Sequence, residues 1–84
     1  MGILNRLFGR GNEPSRYKIK ITAEDGQTFY WHKRGELHTV ELDVADIFVA
    51  NFNTALFQVR TDGTLHPPVP GETLPIRKVE KERA

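Results

Sequence analysis

The sequence predicts an α+β fold, a small antiparallel sheet of four to five strands with one short helix, and a small all-β barrel is the alternative. Three observations carry this expectation. The turn signal Glu24-Asp25-Gly26 recurs as Thr61-Asp62-Gly63, apolar residues alternate with period two on both sides of the first turn, and apolar residues between Val44 and Phe52 recur at helical spacing. With 84 residues and 38% apolar content, the chain supports one modest core.

In the first segment, Ile3, Leu4, Leu7 and Phe8 fall on one helical stripe, before Gly9, Gly11, Asn12 and Pro14 break the pattern. Two turns are too short for an isolated helix in water, so residues 1–15 are read as a flexible amphipathic segment. Residues 16–79 are read as the globular domain and residues 80–84 as a solvated C-terminal tail.

Tyr17, Ile19 and Ile21 alternate with Lys18, Lys20 and Thr22; beyond the turn, Phe29 and Trp31 alternate with Tyr30 and His32. A two-residue loop at Asp25-Gly26 would set Ile21 against Tyr30 and mix apolar with charged residues on both faces. A three-residue loop, a type I turn followed by a left-handed Gly26 in a G1 bulge, sets Ile21 against Phe29 and Ile19 against Trp31. Only the second register gives one apolar face, and burial of that face selects it. The same reasoning at Thr61-Asp62-Gly63 places Val59 opposite Leu65, so hairpins are expected over 16–34 and 55–66.

Between the hairpins, Val40, Leu42 and Val44 alternate as a strand. Val44, Ile47, Phe48 and Phe52 then define a helix near 44–52, with Asp43 as N-cap and Asn53 as its left-handed close. The rival reading is a bulged strand through Val49. Pro67-Pro68-Val69-Pro70 cannot donate to a ladder and is expected to cross the surface as polyproline II, while Thr73–Val79 adds an edge strand or stays loose. The expected core is Tyr17, Ile19, Ile21, Phe29, Trp31, Val40, Leu42, Val44, Ile47, Phe48, Phe52, Phe57, Val59 and Leu65.

Composition excludes several kinds of chemistry. There is no cysteine, hence no disulfide, thiolate nucleophile or thiolate metal site, which fits a reducing, cytoplasmic setting. Ser15 is the sole serine and lies beside the glycine-rich break. His32, His38 and His66 follow no metal-ligand spacing, and no glycine pattern cradles phosphate. Neither a catalytic group, a metal nor a cofactor is therefore expected, and the chain reads as a non-enzyme.

The net charge of +1 conceals segregation: residues 1–34 carry +4, residues 35–76 carry −5 and residues 77–84 carry +2. In the expected register Lys20 opposes Tyr30, Lys18 opposes His32 and Arg16 opposes Arg34, so the outer sheet face is basic and partly aromatic. The function expected is a small accessory module that binds another protein through Ile3, Leu4, Leu7 and Phe8 or through Lys18, Lys20, Tyr30, His32 and Arg34. Single-stranded nucleic acid is the alternative partner of the basic face, since bases stack on aromatic rings and cations neutralise phosphate. The N-terminal stripe, with Arg6 and Arg10, also suits weak contact with a membrane surface.

Overall fold

A computed structural model describes residues 15–84 of the chain. The stripe Ile3, Leu4, Leu7 and Phe8 lies outside the described residues. The fold is α+β, with one short helix and a small antiparallel sheet that does not close into a barrel.

The alternation of Tyr17, Ile19 and Ile21 builds the central strand, β1 (Tyr17–Ala23), and each of its edges is occupied. On one edge β2 (Thr28–Tyr30) pairs with Lys20–Thr22, and β5 (Thr39–Val40) pairs with Tyr17 and Lys18. Between them the Trp31 N–H donates to the Ile19 carbonyl at 3.0 Å. On the other edge β8 (Ile76–Arg83) runs the whole length of β1. Two small hairpins complete the molecule: β3 (His32–Lys33) with β4 (Glu36–Leu37), and β6 (Gln58–Val59) with β7 (Leu65–His66). The helix α1 (Leu42–Asn51) lies between them in sequence and packs on β1 and β8.

Both Asp-Gly turns close as the register requires. The Ala23 N–H donates to the Gln27 carbonyl at 2.8 Å, and the Arg60 N–H donates to the Thr64 carbonyl at 2.9 Å. The third loop residue is left-handed in each, Gly26 with φ 93° and Gly63 with φ 85°. Ile21 opposes Phe29, and Val59 opposes Leu65. Asp25 Oδ1 accepts the Gln27 N–H, and Asp62 Oδ1 accepts both the N–H and the hydroxyl of Thr64.

These bonds favour ionised carboxylates. The Gln27 N–H holds the Asp25 carboxyl below its ordinary pKa, and the Thr64 hydroxyl does the same for Asp62. Each folded pKa lies below its unfolded value, so the stabilisation is complete above the ordinary carboxylate range and is lost as pH falls through the depressed folded value. NMR titration of the carboxyl carbons is expected to show both groups titrating at lower pH than an unstructured Asp. Replacing Thr64 by Val should move Asp62 back toward the ordinary value and leave Asp25 in place.

Several elements depart from expectation for identifiable reasons. The helix begins at Leu42, so the strand before it ends at Val40 rather than Val44, and Glu41 rather than Asp43 is the N-cap residue. Asn53 does not close it left-handed; the C-cap residue is Phe52 in extended conformation. The stripe turned inward is Ala45, Phe48, Val49 and Phe52, at i, i+3, i+4 and i+7; it keeps Phe48 and Phe52 of the expected stripe but begins on an alanine. Ala45 is fully buried, and its small side chain lets the helix sit close to the sheet. Leu42, Val44 and Ile47 consequently leave the expected core and are exposed, and Phe57, beyond the helix, is exposed as well. An ion pair between Lys81 of β8 and Asp46 adds a polar tie between sheet and helix.

The chain from Glu80 to Arg83 is not a loose tail but the second half of β8, paired with Lys20–Tyr17. The inward apolar residues of β8 are Ile76, paired with Ala23, and Val79, which faces Ile21; its other positions are charged and suit a solvated edge strand. The first hairpin also ends earlier than 34. Lys18 opposes Thr39 on one side and Glu82 on the other rather than His32, and Arg16 hydrogen-bonds Thr39 rather than opposing Arg34. The chain diverges after Trp31 because Arg34 and Gly35, with φ 55° and 79°, form a two-residue reversal of the type I′ kind.

The core that results is small. Ile19, Ile21, Ala23, Ala45, Val59 and Ile76 are buried, and Tyr17, Phe29, Trp31, Val40, Phe48, Phe52 and Leu65 pack around them. Thr73 is a buried polar exception; its hydroxyl donates to Gln58 Oε1 at 2.6 Å and accepts the Val69 N–H at 2.9 Å, so the proline-rich loop is fastened to β6.

Candidate functional site: an aromatic groove with a basic rim

The divergence at Trp31 has a structural effect beyond ending the hairpin. It sends β3 and β4 away from the main sheet and opens a cleft between that hairpin, the second half of α1, and the segment from Leu56 to His66. Its volume is about 660 Å³, within the range that binding sites occupy.

The floor is a run of aromatic rings. Trp31 stacks on Phe48 with centroids 4.6 Å apart, Phe48 lies 5.3 Å from Phe52, and Phe52 lies 5.9 Å from Phe57. His38 packs against Trp31 in an edge arrangement, with ring centroids 4.7 Å apart, without itself lining the cleft. Burial, with Lys33 and Arg16 nearby, pushes the His38 imidazole pKa down, so the neutral ring that packs on Trp31 is favoured. Apolar side chains that the core does not use continue the lining: Ile47 is 64% exposed and Leu56 is 59% exposed. Lone exposed apolar residues are ordinary, whereas these adjoin a contiguous aromatic floor.

The rim is polar and of one sign. Lys33 and Arg34 line the groove, with the Lys33 ammonium 5.3 Å from the centre of the Trp31 ring, and His32 and His66 stand beside them. Among the described residues no Asp or Glu lines it, although residues 35–76 carry −5 overall. Glu36 faces Lys33 across the β3–β4 hairpin without entering the groove.

Hydrogen bonds hold the two walls together. His32 donates its N–H to the Gly63 carbonyl at 3.0 Å, and its Nδ1 donates to the Tyr30 carbonyl at 2.7 Å. The Thr64 hydroxyl gives its proton to Asp62, so His66 Nε2 donates to Thr64 Oγ1 at 2.9 Å. The groove is thus framed by paired backbone and oriented rings rather than by free loops.

The residues expected to form one basic sheet face are divided by the structure. Lys18, Lys20 and Tyr30 stay on the outer face of β1 and β2, whereas His32 and Arg34 leave it for the groove rim. The outer face also gains acids that the expected register did not contain. Glu82 and Glu80 of β8 lie opposite Lys18 and Lys20, Lys18 and Glu82 are 3.7 Å apart, and the Tyr30 hydroxyl donates to Glu82 at 2.6 Å. That bond lowers the Glu82 pKa and raises that of Tyr30. The Lys18 ammonium lies over one face of the Tyr30 ring, 4.5 Å from its centre, where it competes with a stacking base.

Ile47, Leu56, Phe57, Lys33 and His66 are groove residues that sequence reasoning did not assign to a site. A signal for the apolar ones was present: a helix carrying Leu42, Val44, Ile47, Phe48, Val49 and Phe52 has more apolar directions than one face of a sheet can cover. Among the described residues no three His, Asp or Glu side chains converge as a metal site, and no helix is long and apolar enough to cross a membrane. Comparison with protein-family models, curated proteins and solved structures returns no match for the chain.

Proposed function

We propose that this protein is a small non-enzymatic binding module that acts by protein–protein contact, with the aromatic groove as its interface. The observation that carries the reading is the continuous floor from Trp31 through Phe48 and Phe52 to Phe57, flanked by the exposed Ile47 and Leu56. Rigid aromatic side chains bury large areas at low entropic cost, and an apolar centre with a charged rim is the usual anatomy of a protein interface. The cleft is open to solvent, which suits a segment of another chain laid into it. The lack of cysteine supports a reducing compartment such as the cytoplasm. The alternative, nucleic acid on the outer sheet face, is weakened by Glu80, Glu82 and the Lys18 ammonium over one face of the Tyr30 ring.

The test is selection from a random peptide library on the immobilised protein, followed by rebinding to Ile47→Asp. Ile47 is mostly solvent-exposed, so this variant is expected to melt within about 0.5 kcal/mol of the wild type. The selected peptides should share apolar anchors and lose at least tenfold in affinity for Ile47→Asp. Undiminished binding to that variant would place the interface elsewhere.

A further inference from the structure

We infer that the partner segment is an acidic amphipathic helix of another protein, its apolar stripe over the aromatic floor and its carboxylates against Lys33 and Arg34; this rests on the groove being the interface. Two features select this occupant. The first is the floor: Trp31, Phe48, Phe52 and Phe57 pack ring on ring, with centroids 4.6, 5.3 and 5.9 Å apart, into one continuous apolar surface of the kind that takes the apolar face of an amphipathic helix. Anchors at i, i+4 and i+7 on one face of such a helix lie along this floor. The second is charge. Among the described residues the lining includes Lys33 and Arg34 and no acid, so a carboxylate-bearing stripe is drawn in and a basic one is repelled. The chain's own apolar segment carries Arg6 and Arg10 beside Leu7 and Phe8, which makes it the wrong sign for this rim.

The single Trp of the chain lies in the groove floor, so its fluorescence reports occupancy directly. Two synthetic helical peptides serve as probes, both with Leu at i, i+4 and i+7, one with Glu and the other with Lys at the flanking positions. Each is titrated into the full-length protein and into Lys33→Glu/Arg34→Asn; Asn suits the left-handed backbone at position 34, so the turn is kept while the charge is removed. The Glu peptide is expected to bind the wild type roughly tenfold or more tightly than the Lys peptide, with a gap that shrinks as salt rises and closes in the double variant. Equal affinity for both peptides would overturn the acidic partner while leaving the groove as an interface. Absence of any Trp31 response to either peptide would overturn the groove reading itself. If the Glu peptide binds only after Leu7→Ser/Phe8→Ser, the groove belongs to the chain's own N-terminal segment; if a single-stranded oligonucleotide binds it more tightly, the partner is nucleic acid. Either result removes the acidic helix.

Discussion

Gly63→Ala is expected to cost roughly 3 kcal/mol or more, while Gly26→Ala in the equivalent turn costs only about 1–2 kcal/mol. The two glycines occupy the same position of the same loop type, with φ 93° and 85°, so a side chain pays the same left-handed backbone penalty at each. Their surroundings differ. A Cβ on Gly26 meets nothing within 4 Å, whereas a Cβ on Gly63 overlaps the Tyr30 carbonyl oxygen and comes within 2.8 Å of His32 Nδ1. Both neighbours are fixed: the Tyr30 carbonyl accepts the His32 ring proton, and His32 donates its backbone N–H to Gly63. Neither can withdraw without breaking the junction between the second hairpin and the main sheet. Paired thermal melts of the two variants isolate the steric part of the effect; equal losses would mean that the hairpin does not seat there.

Ile21→Ala is expected to be the other severe lesion, at about 2–5 kcal/mol, against less than about 1 kcal/mol for Ile47→Ala. Ile21 is fully buried on the central strand between Phe29 of β2 and Val79 of β8, so its loss leaves a cavity that strands on both edges would have to close. Ile47 is mostly exposed, and its truncation removes a contact surface rather than core. For a domain this small the first loss is a large share of total stability. Urea denaturation of both variants measures the contrast, and similar midpoints would show that α1 presents the opposite face to the sheet.

The parts of this fold that were legible in the sequence are those where a local rule and a burial rule agree. At Glu24-Asp25-Gly26 and Thr61-Asp62-Gly63, turn chemistry and the demand for one apolar face select the same register, and both pairings are found. Where only one rule speaks, the reading is incomplete. Arg34-Gly35 carries a turn conformation without the usual Asn or Asp, so the early exit of the hairpin was hidden, and with it the transfer of His32 and Arg34 from sheet to groove. β8 is an edge strand whose charged residues meet solvent, leaving Ile76 and Val79, two residues without a period-two pattern between them, as its inward signal. On α1 two stripes share the helical period, and Ala45 settles the choice through close packing, which hydrophobicity alone does not register. The groove itself depends on all three, since it lies where the displaced hairpin, the rotated helix and the second hairpin meet.

That dependence gives the apolar residues left outside the core a common explanation. Ile47, Leu56 and Phe57 are not scattered over the surface but adjoin one aromatic floor, whose rim carries the cations Lys33 and Arg34. The outer sheet face has the opposite character, with each exposed cation near an acid or a ring. The most direct discrimination between the two surfaces is an amide and indole NMR titration of the labelled full-length protein with the Glu-flanked helical peptide and, separately, with a mixed single-stranded oligonucleotide pool. The expected result is a set of peptide-induced shifts centred on the Trp31 indole, Ile47, Phe52 and Leu56, with Lys18, Lys20 and Tyr30 unmoved. Shifts confined to Lys18, Lys20, Tyr30 and Glu82, produced by the oligonucleotides and not by the peptide, would contradict it.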